Sequence, residues 1–84
     1  MAQLVLFSRK GCHLCDVVEA EIRAGGRMGT GLRVIDVDKD QALLERYSLR
    51  IPVVTMEGRE VFEAKMMDLH GRWKESLRLA LESA

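Results

Sequence analysis

Two cysteines, Cys12 and Cys15, are the residues of this 84-residue sequence whose type and spacing best suit chemistry. A disulfide between them closes a very short loop, so it removes little conformational entropy from the unfolded chain. The pair is therefore a poor structural staple, and redox chemistry or metal binding explains the spacing better. Because a structural disulfide does not persist in a reducing compartment, this cysteine usage predicts a cytoplasmic protein.

Both cysteines are predicted to lie in the first turn of an amphipathic helix. Apolar residues recur at helical spacing after Cys12, and the pattern ends near residues 25–26. Unpaired N–H groups and the helix dipole favour an anion there, so we expect the pKa of the Cys12 thiol to lie below the free value of ~8.5. Cys12 is thus the predicted attacking thiolate. Cys15, one turn deeper, is the predicted resolving cysteine, and Gly11 keeps a side chain away from the approach to Cys12.

Three basic residues surround the cysteine pair. Arg9 and Lys10 precede it, and His13 lies between the two cysteines. Each can stabilise a thiolate, although Arg9 and Lys10 are equally consistent with ordinary solvated charges. We expect His13 to tune the local charge rather than to act as a dedicated acid or base.

The single proline of the sequence supplies a second signal. Ile51-Pro52 opens a predicted strand directly after a helix. Proline is tolerated at the first residues of a strand, where its missing N–H costs little. Only ~5–6% of X–Pro bonds in folded proteins are cis, so the residues alone favour an ordinary trans bond.

Hydrophobic patterning predicts the strands that position these residues. Short strands are expected over residues 3–7, 32–37, 50–56 and 60–63, and the first two are expected to be buried. Glu57-Gly58 is a predicted two-residue hairpin turn between the last two strands. The first two strands, joined through a helix, should be parallel with a right-handed connection, and the hairpin makes the sheet mixed.

Two further helices follow the cysteine helix. The second is predicted from Leu43, Leu44 and Tyr47, with Asp38 and Gln41 in a helix-start capping arrangement. The C-terminal helix buries one face, which consists of Leu69, Trp73, Leu77, Ala80 and Leu81. The resulting order, β-α-β-α-β-β-α, describes a single α/β domain over residues 1–84.

The composition argues against several classes of function. Thirteen Lys and Arg balance thirteen Asp and Glu, and a neutral chain has no bulk attraction for nucleic acid or anionic membranes. The longest uninterrupted apolar run, residues 4–7, is far short of the ~20 residues that span a bilayer. No basic segment followed by a long apolar stretch opens the sequence, so no secretory signal is predicted. We expect a small monomer that binds neither nucleic acid nor membrane.

Two motifs and the element order together resemble a known superfamily. A Cys-x-x-Cys pair that opens the first helix after a single strand is typical of thioredoxin-like proteins. The segment Tyr-Ser-Leu-Arg-Ile-Pro over residues 47–52 resembles the Tyr-Gly-Val-Arg-x-x-Pro stretch before the cis-proline of thioredoxins and glutaredoxins. The element order and the short chain resemble those of the glutaredoxin-like branch, whose members lack the extra N-terminal strand and helix of thioredoxin. Within it, Leu-Phe-Ser-Arg-Lys-Gly-Cys-His-Leu-Cys-Asp over residues 6–16 is similar to a group of small bacterial glutaredoxin-like proteins.

The resemblance implies a fold, a site and an activity. The implied fold is the three-layer thioredoxin-like (glutaredoxin-type) α/β fold, with a four-stranded mixed sheet flanked by helices. In the implied site, Ile51–Pro52 is cis and packs beside Cys12, and the Ile51 backbone pairs with the backbone of a bound thiol substrate. Cys12 attacks and Cys15 resolves. Arg9 matches the position of a lysine found three residues before the first cysteine in many glutaredoxins.

Two departures from the glutaredoxin pattern bear on the substrate. Common glutaredoxins have Pro-Tyr between the cysteines, where this sequence has His-Leu. They also carry a Gly-Gly pair after the fourth strand, in the region that holds the glutathione γ-glutamyl carboxylate, and residues 61–68 contain no such pair. Glu63 in this region would repel a carboxylate, Lys65 would attract one, and Asp68 is interpreted as a helix cap. A protein thiol, or a low-molecular-weight thiol other than glutathione, therefore stays open as the substrate.

We predict a thiol–disulfide oxidoreductase without a tightly bound cofactor. Its partners would be a disulfide-containing protein or a small thiol, with glutathione or another thiol as co-substrate and with a reductase or glutathione as the reducing partner. One alternative is a zinc or iron–sulfur site that two chains share, since Cys12 and Cys15 supply only half of four ligands and the only histidines are His13 and His70. The other alternative is a binding module that keeps the fold without catalysis.

Overall fold

The computed structural model describes residues 3–25, 31–68 and 71–83. Its strands and helices follow the chain as β1 (Leu4–Ser8), α1 (His13–Ala24), β2 (Leu32–Asp36), a 3₁₀-helix (Val37–Lys39), α2 (Gln41–Tyr47), β3 (Val53–Met56), β4 (Arg59–Glu63), a second 3₁₀-helix (Ala64–Asp68) and α3 (Trp73–Ser83). The predicted order of strands and α-helices is confirmed.

The third strand begins later than the sequence predicts. It starts at Val53 rather than at residue 50. The N–H groups of Arg50 and Ile51 both donate to the carbonyl of Tyr47, at 2.8 and 3.2 Å. These two residues therefore continue the turn at the end of α2 instead of pairing with β1.

The sheet is mixed, with the strand order β2-β1-β3-β4. β1 is parallel to β2, and Ser8 lies opposite Asp36. β3 is antiparallel to β1, with Phe7 opposite Val53, and β4 is antiparallel to β3. The predicted parallel pair and hairpin are confirmed. This topology brings the carboxyl ends of β1 and β2 and the start of β3 to one end of the sheet, which we call the site end.

Helices cover both faces of the sheet. One apolar cluster joins strand residues such as Leu6 and Phe62 to Val18 and Ile22 of α1 and to Leu77 of α3. The cluster on the opposite face contains Val37, Tyr47 and Val53, with Phe7, Leu43, Leu44 and Ile51 packed against it. The result is the three-layer α/β architecture of the thioredoxin and glutaredoxin fold, with α1 and α3 on one face and α2 on the other.

β2 is an edge strand, and the expectation of a buried strand is wrong. Arg33 and Val34 are both exposed, and Val34 keeps 41% of its surface accessible. An edge strand has a partner on one side only, so its side chains have fewer neighbours to pack against. The buried apolar residue of this segment is Val37, which lies in the 3₁₀-helix that follows.

Asp40, not Asp38, caps α2. The Asp40 carboxylate accepts the N–H groups of Ala42 and Leu43 at 2.9 and 3.2 Å. The sequence-based assignment of the cap to Asp38 is wrong because the 3₁₀-helix carries the chain two residues further before α2 begins.

The β3–β4 hairpin turns at Glu57 and Gly58, as predicted. Their φ angles are 53° and 81°, so both central residues adopt the left-handed backbone of a tight hairpin turn. Gly58 adopts it freely, whereas Glu57 carries the conformational cost of a side chain in that region.

α3 packs on the sheet through the predicted face. Leu77 and Leu81 are buried, and the Trp73 ring lies 6.5 Å from that of Phe62. Leu69 of the predicted face lies outside the described residues. Asp68 ends a 3₁₀-helix and α3 begins at Trp73, but the Asp68 side chain lies outside the described part of the structure, so its interpretation as a cap stays a prediction. None of the described helices combines the length and apolar character that crossing a bilayer requires.

Candidate active site

The two cysteines form a disulfide at the N-terminus of α1. Cys12 is the N-cap residue, and its Sγ accepts the N–H of Cys15 at 3.1 Å. Cys12 is half-buried, whereas Cys15 is fully buried. An attacking sulfur must reach its partner, so Cys12 is the member of the pair placed to meet an external disulfide.

A tight turn carries the chain from β1 into α1. The Cys12 N–H donates to the carbonyl of Arg9 at 3.1 Å, and Gly11 has a φ of 82°. A Cβ atom on Gly11 would meet no other atom within 4 Å. The left-handed backbone is therefore a structural reason for glycine at this position, and the clearance it gives beside Cys12 stays a prediction.

Arg9 is paired and is not a free cation. Its Nε donates to both carboxylate oxygens of Asp38, at 3.0 and 2.9 Å. Lys10 and His13 are exposed, and neither forms an ion pair within residues 3–25, 31–68 and 71–83. The excess of positive charge beside the cysteines is thus smaller than the sequence predicts, because Asp38 balances one of the three basic residues.

The Ile51–Pro52 peptide bond is cis, as the family resemblance implies. Pro52 is fully buried and directly precedes β3 at the site end of the sheet. The Ile51 N–H donates to the Tyr47 carbonyl at 3.2 Å. The N–H of Ile51 is thus used within the chain, and the implied pairing of the Ile51 backbone with a substrate stays a prediction.

Arg50 connects the segment before Pro52 to β4. Its Nη2 donates to the carboxylate of Glu60 and, at 2.7 Å, to that of Glu63. Its guanidinium also lies 5.6 Å from the ring centroid of Tyr47, and that ring stacks on Phe7 at 4.4 Å. Tyr47 is buried, so it packs beneath the Arg50 side chain as part of the core. The cis-proline segment is thereby held to both β1 and β4.

The Glu63 carboxylate is compensated by two cations. The hydrogen bond from Arg50 holds the pKa of the Glu63 carboxyl below its usual value, and Lys65, 3.4 Å away, acts in the same direction. Arg50 and Lys65 therefore balance part of the Glu63 charge, and its repulsion of an incoming carboxylate stays a prediction.

Two further features of the described residues bear on alternative chemistry. Among the described residues, no group of three or more His, Cys, Asp or Glu side chains is arranged to hold a metal ion. His70, named as a ligand in the metal alternative, lies outside the described residues. A groove of about 280 Å³ lies between α3 and the C-terminal part of α1, at the opposite end of α1 from the cysteines.

Several features of the site were missed from the sequence. Asp38 lies 29 residues from Arg9, and no local pattern links them. Arg50 belongs to the quoted proline motif, which was the available signal, but its carboxylate partners lie on another strand. Leu14, an apolar residue of the cysteine helix, is 48% exposed, and Leu49 is 97% exposed. Two leucines thus face solvent in the two segments that carry the cysteines and the proline.

Comparison with known proteins gives one family match. The model of the glutaredoxin-like domain family (DUF836) matches residues 3–82. No curated protein matches the chain by sequence.

Solved structures include relatives of similar size. Protein XcR50 from X. campestris is 35% identical, with 96% of this chain and 97% of that chain covered and a TM-score of 0.68. Protein Ne2328 from Nitrosomonas europaea is 32% identical over 74% of this chain and 76% of that chain, with a TM-score of 0.65. A buckwheat glutaredoxin solved as a complex with glutathione is 22% identical over 98% and 78% of the two chains, with a TM-score of 0.61. At that identity the buckwheat protein supports the fold alone.

Proposed function

The chain belongs to the glutaredoxin-like domain family, and from this premise we propose that it is a dithiol thiol–disulfide oxidoreductase. The observation that carries the proposal is the Cys12–Cys15 disulfide at the N-terminus of α1. The bond spans a sequence separation of three, which makes it a weak constraint on the unfolded chain. A reversible redox role accounts for it better than a structural one.

The proposed reaction transfers two electrons between dithiol and disulfide. The Cys12 thiolate attacks one sulfur of a substrate disulfide, so a Cys12–substrate disulfide forms and the other substrate sulfur leaves as a thiolate that takes up a proton. The Cys15 thiol then loses its proton and attacks the Cys12 sulfur. This second step forms the Cys12–Cys15 disulfide and releases the remaining substrate thiol, so the protein is oxidised and the substrate is reduced. An external thiol or a reductase returns the protein to the dithiol.

The division of roles between the two cysteines follows from their surroundings. The Cys12 sulfur at the N-cap accepts a backbone N–H and lies at the positive end of the helix dipole, and both favour a thiolate. Burial raises the free energy of a charged sulfur, so Cys15 suits a short-lived intramolecular attack rather than a resting thiolate.

The proposed substrates are disulfides of proteins or of small thiols. Glutathione or another low-molecular-weight thiol acts as co-substrate, and glutathione or a reductase is the reducing partner. We further propose that the protein works as a monomer in the cytoplasm, where reductants keep thiols available for such exchange, and that it needs no tightly bound cofactor.

The test compares the wild-type protein with Cys12→Ser and Cys15→Ser. Each is incubated with bis(2-hydroxyethyl) disulfide and with a protein disulfide, and mass spectrometry follows the adducts. We expect the reduced wild-type protein to release substrate thiols and to return to the internal disulfide. Cys12→Ser should lose the reaction, and Cys15→Ser should accumulate a mixed disulfide on Cys12.

Two results would contradict the proposal. One is a wild-type rate no higher than that of an unfolded peptide with the same two cysteines. The other is full activity in Cys12→Ser. Circular dichroism of both variants separates a lost thiol from a lost fold.

A further inference from the structure

The Arg9–Asp38 pair joins two neighbouring strands at the site end of the sheet. Ser8 and Asp36 are opposite each other in the parallel β1–β2 pair, so Arg9 and Asp38 follow the carboxyl ends of adjacent strands. The Arg9 Nε donates to both oxygens of Asp38, which fixes the guanidinium from one side. The two side chains keep 35% and 45% of their surfaces exposed, so the pair is in contact with solvent at the site end of the sheet, a position we call the rim.

Arg9 also belongs to the turn that positions the attacking sulfur. Its carbonyl accepts the Cys12 N–H at 3.1 Å, so its backbone is fixed relative to the cysteine. What remains variable is the direction of its side chain. In the structure Asp38 sets that direction and balances the charge.

We propose that Asp38 is a positioning residue for disulfide exchange, which holds Arg9 and so limits the preference of Cys12 for negatively charged disulfides. The inference rests on the proposed function, because it concerns the substrates of the same cysteine. It adds the charge class of those substrates: with Arg9 paired, the rim discriminates little between anionic and cationic disulfides.

The physical argument is the balance of charges at the rim. Arg9 and Asp38 together contribute no net charge. The other polar or charged side chains of the two segments are Lys10, His13 and Asp16 on the cysteine side and Asp36 and Lys39 beside Asp38. Replacing Asp38 by Asn removes one negative charge and leaves a single neutral amide oxygen to accept from the Arg9 Nε, so the guanidinium is held less firmly. Both changes make the surroundings of Cys12 more positive, and opposite charges attract over distances below the Debye length of ~8 Å.

The first arm of the test measures this charge without requiring exchange activity. In Cys15→Ser the single thiol is Cys12, and it can be alkylated with anionic iodoacetate or with neutral iodoacetamide. We expect Asp38→Asn to raise the ratio of the two alkylation rate constants about threefold, and Asp38→Glu to stay close to the parent ratio because it keeps the charge.

The second arm measures exchange in the protein with both cysteines. The two probes are oxidised glutathione, which is an anionic disulfide, and cystamine, which is a cationic disulfide. Asp38→Asn should raise the anionic-to-cationic ratio of rate constants about fivefold, by acting on the two probes in opposite directions. When Arg9 is replaced by Gln, adding Asp38→Asn should change the anionic-to-cationic ratio by less than about 2.5-fold.

Asp40→Asn is the matched control. It removes the same charge from the same segment, but its carboxylate bonds to the amides of Ala42 and Leu43, and Asn keeps a capping oxygen. Its two ratios should remain within about 1.5-fold of the parent protein, because the change leaves Arg9 held by Asp38.

The arms separate the failure of this inference from the failure of the proposed function. An unchanged alkylation ratio in Asp38→Asn, or an equal effect of the substitution with and without Arg9, overturns the role of Asp38. Rates that change equally for both disulfides also overturn it, since they indicate a loosened loop. Absence of exchange by the wild-type protein with either disulfide overturns the proposed function, and the substrate preference with it.

Discussion

At the scale of single residues, the Glu63 carboxylate shows how a charge becomes part of the structure. It accepts a hydrogen bond from Arg50 at 2.7 Å and lies 3.4 Å from the Lys65 ammonium, and only 17% of the Glu63 side chain is exposed. Arg50 is the larger cause of the lowered pKa of this carboxyl. Because a lowered pKa means that the folded state binds fewer protons than the unfolded state, this carboxylate links stability to pH.

Glu63→Gln should remove that link. The contribution of Glu63 is fully present above its ordinary pKa of 4.5 and is lost as the pH falls through the lower value of the folded protein. At pH 7 we expect the variant to be less stable than the wild type by about 0.5–1 kcal/mol, since Arg50 is partly exposed and water screens the pair. The two proteins should converge in stability as the pH falls below 4.5 and through the lowered pKa of Glu63 in the folded protein, as measured by urea unfolding at a series of pH values.

Glu45→Gln is the control for that measurement. Glu45 accepts a hydrogen bond from the Gln41 amide at 3.2 Å and is exposed on α2. Its substitution should give a small stability change that depends little on pH. A Glu63→Gln difference that persists unchanged into acid would show that the pair with Arg50 acts through packing and not through charge.

At the scale of elements, α2 depends on a single capping side chain. It has seven residues, which is too short for a helix to be stable without its surroundings. Asp40→Ala should cost about 1 kcal/mol, because the N–H groups of Ala42 and Leu43 lose their acceptor, whereas Asp40→Asn should cost only a few tenths. Urea unfolding measures both, and equal losses in the two variants would argue against a capping role.

The same segment shows where sequence reasoning reaches its limit. Spacing and helix-end chemistry were enough to identify Cys12 and Cys15 and to predict that Cys15 is the less exposed. They could not choose between Asp38 and Asp40 as a cap, because the choice depends on a single 3₁₀ turn. They also could not pair Arg9 with Asp38, since that contact depends on the path of the chain after each strand ends and not only on the predicted pairing of the two strands.

The cis bond and the exposure of β2 have a similar explanation. The residues of Ile51-Pro52 alone favour trans, and only the family resemblance indicated cis. The apolar residues of β2 are typical of a buried strand. Because β2 is the edge strand of the sheet β2-β1-β3-β4, Val34 is nevertheless exposed. Local patterns predict the type of an element, whereas burial depends on the arrangement of the other elements.

At the scale of the whole molecule, the small core makes single side chains important. Leu77 of α3 is 1% exposed and belongs to the cluster that includes Val18 and Ile22 of the cysteine helix. Leu77→Ala should cost about 2–4 kcal/mol through lost burial and the remaining cavity. That is a large share of the roughly 4–13 kcal/mol expected for a domain of this length.

Leu49→Ala provides the matched comparison for Leu77→Ala. Leu49 is 97% exposed, so the same truncation should change stability by less than about 0.5 kcal/mol. Thermal unfolding should show a melting temperature lower by roughly 10–25 °C for Leu77→Ala and nearly unchanged for Leu49→Ala. Similar shifts in the two variants would mean that α3 does not form part of the cooperative core.

The β3–β4 hairpin turn lies at the other end of the sheet from the cysteines. β3 leaves the site end at Val53 and reaches Met56, and each residue of a strand advances the chain by ~3.3 Å. A Cβ atom on Gly58 would meet nothing within 4 Å, so the turn is open to its surroundings. Attachment chemistry can therefore be placed at Glu57–Gly58: a peptide tether inserted there would anchor the protein to an electrode or join it to a fluorescent reporter, with the disulfide facing the solution.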